Sequence, residues 1–249
     1  MSPDLRADYR VPPEPKLWPA GVWWDAVLLG LLVAMTVGLA WVGSPLLDLD
    51  VATRSFADSH RPYAADLAAQ VFNHLGQGLP LTLLCLGLAI LHVRRLKTYE
   101  PLLPVATAFA INYVSIGVVK LFTDRGAPHY GSVLLFSEAS GVSYPSGHAA
   151  NGVVWYGVLS MLLAPFVWPW VRRLVRYGPV IVVSFTTTYL GHHWLTDTVA
   201  GILIGLLVDR LIRRNLWRKL RLPSYLTPAG SRAAAPTRTS DQAGASSLT

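Results

Sequence analysis

Three polar segments in an otherwise apolar chain carry the residue types that phosphoryl chemistry requires. They run from Lys120 to Pro128, from Tyr144 to His148 and from Tyr189 to Asp197. In the second segment a Pro-Ser-Gly turn leads straight into an apolar run, so a hydroxyl, bare backbone N–H groups and the positive end of a helix dipole would meet there. This end of the run favours an anion such as phosphate.

The candidate phosphate ligands are Lys120, Arg125, Ser146 and the backbone of Gly147. Two cations would neutralise a bound phosphoryl group, and the other two residues lie at the predicted helix start. Each of the two cations has a structural alternative. Lys120 could extend its ammonium from the end of a membrane span to the interface, and Arg125 could be a solvated loop charge.

The candidate catalytic residues are His148, His193 and Asp197. His148 lies at the mouth of the predicted site, where it could exchange a proton near neutral pH. If the third segment is helical, His193 and Asp197 lie four residues apart on one face. Asp197 could then hold one ring nitrogen and leave the other free to attack. Alternatively, the pair could cap a bend or bind a metal together with His192.

The composition indicates a protein embedded in a membrane. Of the 249 residues, 52% are hydrophobic and 14% are charged, whereas soluble domains carry about 25% charged residues. The formal charge of +7 does not indicate nucleic-acid binding, because the basic residues cluster beside apolar runs. The single cysteine, Cys85, excludes an internal disulfide and a cysteine-based metal site.

The apolar runs predict an all-α, polytopic bundle of six transmembrane helices. Their approximate bounds are 26–47, 79–93, 102–119, 149–168, 177–190 and 198–208. A further amphipathic stretch, about 62–75, predicts a helix that lies on the membrane surface and leads into the second span. We expect a cytoplasmic tail over 1–22, the membrane domain over 23–222 and a disordered cytoplasmic tail over 223–249.

The distribution of positive charge predicts the orientation of the bundle. All but four of the 21 Lys and Arg residues fall on one side of the predicted spans, and the exceptions are Arg54, Arg61, Lys120 and Arg125. The basic side is cytoplasmic by the positive-inside rule. Both termini are therefore expected in the cytoplasm, and the three polar segments on the extracytoplasmic face.

The order and spacing of these segments resemble the phosphatidic acid phosphatase type 2 family. This family is the membrane branch of the superfamily that includes vanadium haloperoxidases and bacterial acid phosphatases, and its motifs are K-x6-R-P, P-S-G-H and S-R-x5-H-x3-D. The likeness covers about Pro80 to Val208. The resemblance implies a six-helix core with the motifs at the helix ends.

The resemblance also implies a role for each candidate residue. His193 would be the nucleophile that forms a phosphohistidine, Asp197 would orient it, and His148 would protonate the leaving oxygen. Phosphate oxygens would be bound by Lys120, Ser146 and the Gly147 backbone. No metal or other cofactor is implied by such a mechanism.

The chain departs from the family motifs at two arginines. Ala127 replaces the arginine before proline, although Arg125 matches the earlier arginine of a G-R-x-R-P variant. In the third motif Thr186 and Thr187 replace serine and arginine. Loss of one such contact to a developing charge typically costs about 3 kcal/mol. The loss suggests a pocket for a less charged phosphoryl group.

We therefore predict a lipid phosphate phosphatase that acts on a polyprenyl (pyro)phosphate or a phosphatidate-like lipid in the bilayer, with no nucleic-acid partner. The alternative is a phosphotransferase that moves a lipid-linked phosphoryl headgroup to an alcohol, as in the headgroup transferases that resemble this superfamily. A third possibility is a non-catalytic member that only binds anionic lipid. The sequence specifies neither the headgroup nor the oligomeric state.

Overall fold

The computed structural model describes residues 8–10, 21–129, 131–137, 142–216 and 221–223. The helices in this part of the chain are α1 Trp23–Leu39, α2 Pro45–Ser59, α3 Tyr63–Asn73, α4 Gly78–Leu96, α5 Leu102–Thr123, α6 Gly147–Leu162, α7 Pro169–Tyr189 and α8 Leu195–Leu216. Strands β1 Asp8–Arg10 and β2 Arg221–Pro223 pair antiparallel. The described chain is otherwise helical or irregular, in agreement with the predicted helical fold.

Six of these helices, α1 and α4 to α8, coincide with the predicted apolar runs. Two of the described helices, α4 and α5, are long and apolar enough to cross a bilayer, and α1 is a shorter apolar helix. The number of membrane spans therefore stays a prediction. The predicted tails over 1–22 and 223–249 lie largely outside the described residues, apart from residues 8–10, 21–22 and 223.

The first predicted span consists of two elements rather than one. Helix α1 ends at Leu39, and the chain then turns through Gly43, which has a φ of +83°. The Ser44 hydroxyl accepts a hydrogen bond from the Leu46 N–H at 3.4 Å, and Pro45 occupies the first position of α2. Serine at the N-cap and proline at N1 start a new helix, so the apolar run does not continue as one span.

Two other boundaries differ from the prediction. Helix α3 fills the amphipathic stretch, but a 3-10 turn over His74–Gly76 separates it from α4. Helix α7 begins at Pro169, so Arg172 and Arg176 are buried within this helix rather than placed between spans. Proline at N1 again marks the start, because its fixed φ suits the first turn and it needs no N–H acceptor there.

Helix α6 lies at the centre of the bundle. Every residue from Ala149 to Leu162 is buried, because α4, α5, α7 and α8 all pack against α6. A helix that is apolar on all sides must be enclosed in this way. Helix α8 approaches closely at Gly201, where an added Cβ would lie 2.3 Å from the Ser146 carbonyl oxygen. The N-termini of α6 and α8 therefore meet at one end of the bundle.

Candidate functional site

A glycine turn at the end of α7 positions the histidine doublet. Gly191 has a φ of +71°, which a residue with a Cβ rarely adopts. Its N–H donates to the Thr188 carbonyl at 3.0 Å, and the His192 N–H donates to the Thr187 carbonyl at 3.1 Å. This is the hydrogen-bond pattern of a Schellman motif. It ends the helix and directs the next residue, His193, toward the start of α8.

His193 and Asp197 meet, but not as neighbours on one helix. Helix α8 begins at Leu195, so His193 lies in the loop before it and the helical segment on which the shared face depended is not formed. The Asp197 carboxylate instead folds back to accept the Trp194 N–H at 3.0 Å, which is one half of a capping box. This brings Asp197 Oδ2 to 3.7 Å from His193 Nδ1.

Ser143 bridges the gap between these two side chains. Its hydroxyl donates to Asp197 Oδ2 at 2.6 Å and lies 3.3 Å from His193 Nδ1. The single hydroxyl proton is used on the carboxylate, so the oxygen accepts from Nδ1, which must carry the ring proton. Nε2 of His193 is then left with a free lone pair. Ser143, which lies directly before Tyr144, was not among the site residues predicted from the sequence.

Arg125 lies behind Asp197. It is fully buried, and its guanidinium contacts the carboxylates of Asp197 and Asp50, the latter at 2.6 Å. It also donates to the Thr196 hydroxyl at 2.8 Å and to the Val133 carbonyl at 2.9 Å. These contacts make Arg125 a support for Asp197, so its position does not favour the predicted role as a phosphate ligand.

Asp50 is a second supporting residue that the sequence analysis missed. Its carboxylate accepts from the Thr196 N–H at 2.9 Å and from the Thr196 hydroxyl at 2.6 Å. It therefore holds the N-terminal turn of α8, where a negative charge is favoured. The Ser44-Pro45 helix start could have identified Asp50, because it places this residue on the same buried face of α2 as Leu47.

The N-terminus of α6 forms the second wall of the site. The Ser146 hydroxyl is buried and caps the helix by accepting the Ala149 N–H at 3.3 Å. The N–H groups of Gly147 and His148 have no acceptor within the helix. A Cβ added to Gly147 would meet nothing within 4 Å, so there is open space beside these donors. Lys120 Nζ donates to the Val142 carbonyl nearby.

His148 faces His193 across the site, with 6.1 Å between the two ring centroids. A small tetrahedral anion in contact with one ring is therefore within reach of the other. Burial lowers the pKa of His148 to about 4, and repulsion from His193, His192, Lys120 and His74 contributes. The ring is neutral at pH 7 when no anion is bound.

The backbone of the turn before α4 fixes one side of the His148 ring. A Cβ at Gly76 would lie 3.0 Å from both Cβ and Cδ2 of His148 and 2.6 Å from Val183 Cγ1. No side chain larger than hydrogen fits here without displacing its neighbours. Gly76 therefore helps to position His148.

A cavity of about 730 Å³, here called the lateral cavity, opens beside His148. Its other lining residues include His192 from the glycine turn and, from the segment around α3, Arg61, Gln70, Asn73 and His74. All but one of its lining residues are polar. Burial lowers the pKa of His192, and the charges of His193 and nearby residues lower it further. Ligands that enter the site thus meet a polar, histidine-rich wall.

Thr187, where the family motif has arginine, carries no charge and is fully buried. Two arginines from the α2–α3 segment lie against the glycine turn instead. Arg54 packs on Gly191 and bonds to His129 at 3.0 Å, and Arg61 donates to the Tyr189 carbonyl at 2.7 Å. Positive charge near the doublet therefore comes from outside the motifs.

The described residues offer no group of three or more His, Cys, Asp or Glu side chains suited to a metal ion. Of the predicted site residues, His148, His193, Asp197, Lys120, Ser146 and Gly147 converge at one end of the bundle, and Arg125 lies behind them. Their assigned roles stay predictions. The arrangement places two imidazoles, an ammonium group and several N–H donors around one space.

Comparisons with known proteins show which proteins the chain is similar to. The family model described as PAP2 superfamily matches residues 101–221. The chain is similar to a phosphatidylglycerophosphatase B from Bacillus subtilis, with 29% identity over 148 residues, 56% of this chain and 70% of the relative. It is also similar to an undecaprenyl-diphosphatase from Sulfolobus acidocaldarius, with 36% identity over 72 residues, 29% of this chain. That match spans only 32% of the archaeal relative.

A solved structure shares the fold. It is the crystal structure of a transmembrane PAP2 type phosphatidylglycerolphosphate phosphatase from Bacillus subtilis, at 22% identity and a TM-score of 0.65. The alignment covers 76% of this chain and 94% of the solved chain. The helical fold predicted from the sequence is therefore similar to that of a solved membrane phosphatase.

Proposed function

The chain belongs to the PAP2 superfamily, and from this premise we propose that it is an integral membrane phosphatase that hydrolyses a lipid phosphate. The candidate substrates are a polyprenyl (pyro)phosphate and a phosphatidate-like lipid. One observation carries the proposal: the Asp197–Ser143–His193 chain leaves Nε2 of His193 unprotonated, opposite His148 at a ring separation of 6.1 Å.

In the first step, Nε2 of His193 attacks the phosphorus atom of the lipid phosphate. A P–N bond forms, the P–O bond to the lipid breaks, and the proton on His148 moves to the leaving oxygen. Asp197 stabilises the positive charge that His193 gains, through the Ser143 hydroxyl. Oriented N–H groups at the start of α6 and the Lys120 ammonium stabilise the phosphoryl oxygens.

In the second step, water hydrolyses the phosphohistidine. His148 takes a proton from the water as its oxygen attacks phosphorus, the P–N bond breaks, and inorganic phosphate is released with His193 neutral again. His148 is thus acid in one step and base in the next, which requires a proton on it when substrate binds. The negative charge of the phosphoryl group raises the pKa of His148 from its value in the empty site.

The missing motif arginines fit a phosphoryl group of low charge. A monoester dianion gains from several cations, whereas this site offers Lys120 and backbone N–H groups. Arg125 is committed to two buried carboxylates. We therefore expect phosphomonoesters to be bound weakly, with high KM values, rather than to be excluded.

We further propose that the site faces the extracytoplasmic side and that both termini are cytoplasmic. The charge asymmetry along the chain supports this orientation. A cysteine at Ser137, exposed after α5, should react in intact cells with a maleimide that does not cross membranes. A cysteine at Tyr99, exposed between α4 and α5, should react only after lysis. The native Cys85 is fully buried. Reversed labelling would contradict the orientation.

The proposed activity is tested by release of inorganic phosphate from purified protein in detergent micelles. The panel contains phosphatidate, a prenyl monophosphate and a prenyl diphosphate, each with and without an alcohol acceptor. We expect free phosphate from at least one lipid, and none above background with His193→Ala. Turnover by His193→Ala at the wild-type rate would overturn the mechanism, and a phosphorylated alcohol as the main product would favour the transferase.

A further inference from the structure

Asp50 brings a carboxylate to the site from outside the three motif segments. It lies in α2, whereas the family model matches residues 101–221, so no motif assigns it a role. The side chain is fully buried. Its two oxygens accept from the Arg125 guanidinium, the Thr196 N–H and the Thr196 hydroxyl. Because each of these partners donates, the environment of Asp50 suits a charged carboxylate.

The Arg125 guanidinium lies between Asp50 and Asp197 and divides its N–H groups between them. Nη2 donates to Asp50 Oδ2 at 2.6 Å, and Nη1 contacts Asp197 Oδ1. All three charged side chains are fully buried, and two carboxylates with one guanidinium leave a net charge of −1. A buried charge is only weakly screened, so this charge acts on the groups beside it.

The His193 imidazole lies next to this charge. Its Nδ1 is 3.7 Å from Asp197 Oδ2, and the Ser143 hydroxyl bridges the two side chains. When His193 attacks phosphorus in the proposed first step, its ring becomes a cation. Charges of alternating sign then follow one another through Asp50, Arg125, Asp197 and His193. Without Asp50, two cations would flank one buried carboxylate, and the positive charge on His193 would be less stable.

The other titratable neighbours of His193 mostly add positive charge. His148 faces it with 6.1 Å between the ring centroids, and His192 precedes it in the chain. Lys120 lies close enough to act on the charge of His148. Arg54, one turn after Asp50 on α2, packs on the glycine turn. The net negative charge of the buried cluster therefore reaches a surrounding that is otherwise basic.

We propose that Asp50 is a positioning residue of the reaction, which acts through Arg125 and Asp197. It offsets the charge of Arg125, so that the charge of Asp197 stays available to the His193 cation. This inference rests on the proposed function and adds to it a residue that the family motifs do not contain. A nearby negative charge favours the cation but repels the phosphoryl group. Loss of the Asp50 charge should therefore lower kcat without raising KM.

Asp50→Asn tests this role, because it removes the charge and keeps the size and one acceptor oxygen. Rates are measured on p-nitrophenyl phosphate and on the lipid of the panel that wild type hydrolyses fastest. We expect kcat to fall about 10–100-fold, the range for residues that act through a direct participant. KM and the inhibition constant of sulfate should stay the same or decrease. A merely structural loss would distort the anion site and raise both constants.

The double variant Asp50→Asn/Arg125→Gln restores the wild-type net charge, because it removes one carboxylate and one guanidinium together. A buried ion pair can be replaced as a unit at little cost, whereas removal of one partner is strongly destabilising. We therefore expect kcat of the double variant to recover to within about tenfold of wild type. If Asp50→Asn does not fold, this variant decides alone, and a loss as complete as in His193→Ala would overturn the inference.

Asp48→Asn is the matched control. Asp48 lies on the same helix but is exposed, so this variant removes an equal charge and should keep both kinetic constants. Wild-type kcat in Asp50→Asn, a raised sulfate constant, or a double variant no more active than Asp50→Asn would each overturn the inference. These outcomes leave the proposed function in place. That function fails instead if wild type releases no phosphate or if His193→Ala keeps the wild-type rate.

Discussion

Buried charges lie at both ends of the bundle, but they are arranged differently. The site-end cluster consists of Asp50, Arg125, Thr196 and Asp197, in which one guanidinium contacts two carboxylates. The far-end cluster consists of Arg176, Asp209 and Arg213, in which one carboxylate accepts from two guanidinium groups at 2.7 and 2.9 Å. Each cluster joins α8 to a neighbouring part of the fold.

The clusters differ in the hydrogen-bond partners of the central carboxylate. Asp197 contacts Arg125 through one oxygen, and its other oxygen accepts from Ser143 and the Trp194 N–H. Asp197 therefore interacts with His193 through the Ser143 hydroxyl. Both oxygens of Asp209 accept from arginine. Removal of one partner from a buried ion pair leaves the other charge unpaired and is strongly destabilising. We infer that the far-end cluster is structural, whereas the site-end cluster orients a nucleophile.

Replacement of the two central carboxylates should separate the clusters most strongly. Asp197→Asn should lower kcat by about 10³-fold, because His193 loses the carboxylate that sets its tautomer. Asp209→Asn should reduce the free energy of unfolding by about 3 kcal/mol and leave kcat within a few-fold. Phosphate release per folded protein and thermal unfolding in detergent measure the two effects. Similar losses of kcat in both variants would remove the distinction.

Two glycines give the next largest contrast. Gly76→Ala places a methyl group against His148 and should lower kcat on an alkyl phosphate about 30-fold, less than the roughly 10²–10⁴-fold that general acid catalysis contributes, because His148 is displaced and not removed. The loss on p-nitrophenyl phosphate should be smaller, because its leaving group needs no proton. In Gly157→Ala the new Cβ would lie 2.2 Å from Asp209 Oδ1, so this variant should lose thermal stability. Equal losses on both substrates in Gly76→Ala would contradict a role through His148.

Two serines offer a smaller, matched contrast. Ser143→Ala breaks the link between Asp197 and His193 and should lower kcat about tenfold with little change in KM. Ser160 lies in the far-end region, where it donates to the Gly157 carbonyl at 2.7 Å. Ser160→Ala should leave both constants close to wild type. Steady-state kinetics of the two variants decide this, and a Ser143→Ala enzyme with wild-type kcat would eliminate the proposed relay.

The pH dependence of anion binding should show the smallest effect, and only at the site end. The pKa of His148 is about 4 in the empty site, and a bound anion raises it. The gain in anion affinity that comes from this proton is fully present below the pKa of His148 without the anion. It is lost as pH rises through the higher pKa of His148 with the anion bound. Sulfate keeps its charge in this range, so its affinity should fall as pH rises. Calorimetry should detect proton uptake of up to about one proton near neutral pH.

His148→Gln is the control for this measurement. It should remove most of the uptake, although His193, His192 and His74 also face the anion. Uptake that is unchanged in His148→Gln would assign the proton to another group.

The sequence predicted the helices and the site to different extents. Apolar runs located six helices, and three motif segments located His148, His193 and Asp197, because these signals are local. The role of Arg125 could not be deduced in this way, because its guanidinium is held by Asp50, which lies 75 residues away along the chain. The lateral cavity was equally hidden, because the α3 wall and the glycine turn meet only in the folded chain.

The most direct test of the account is to trap the covalent intermediate. The wild-type protein is mixed with a 32P-labelled lipid phosphate, quenched during turnover in base, which preserves phosphohistidine, and mapped by mass spectrometry. We predict a phosphoryl group on His193 that is labile in acid and absent from His193→Ala. Steady turnover by wild type without label on His193, or with label on another residue, would contradict it.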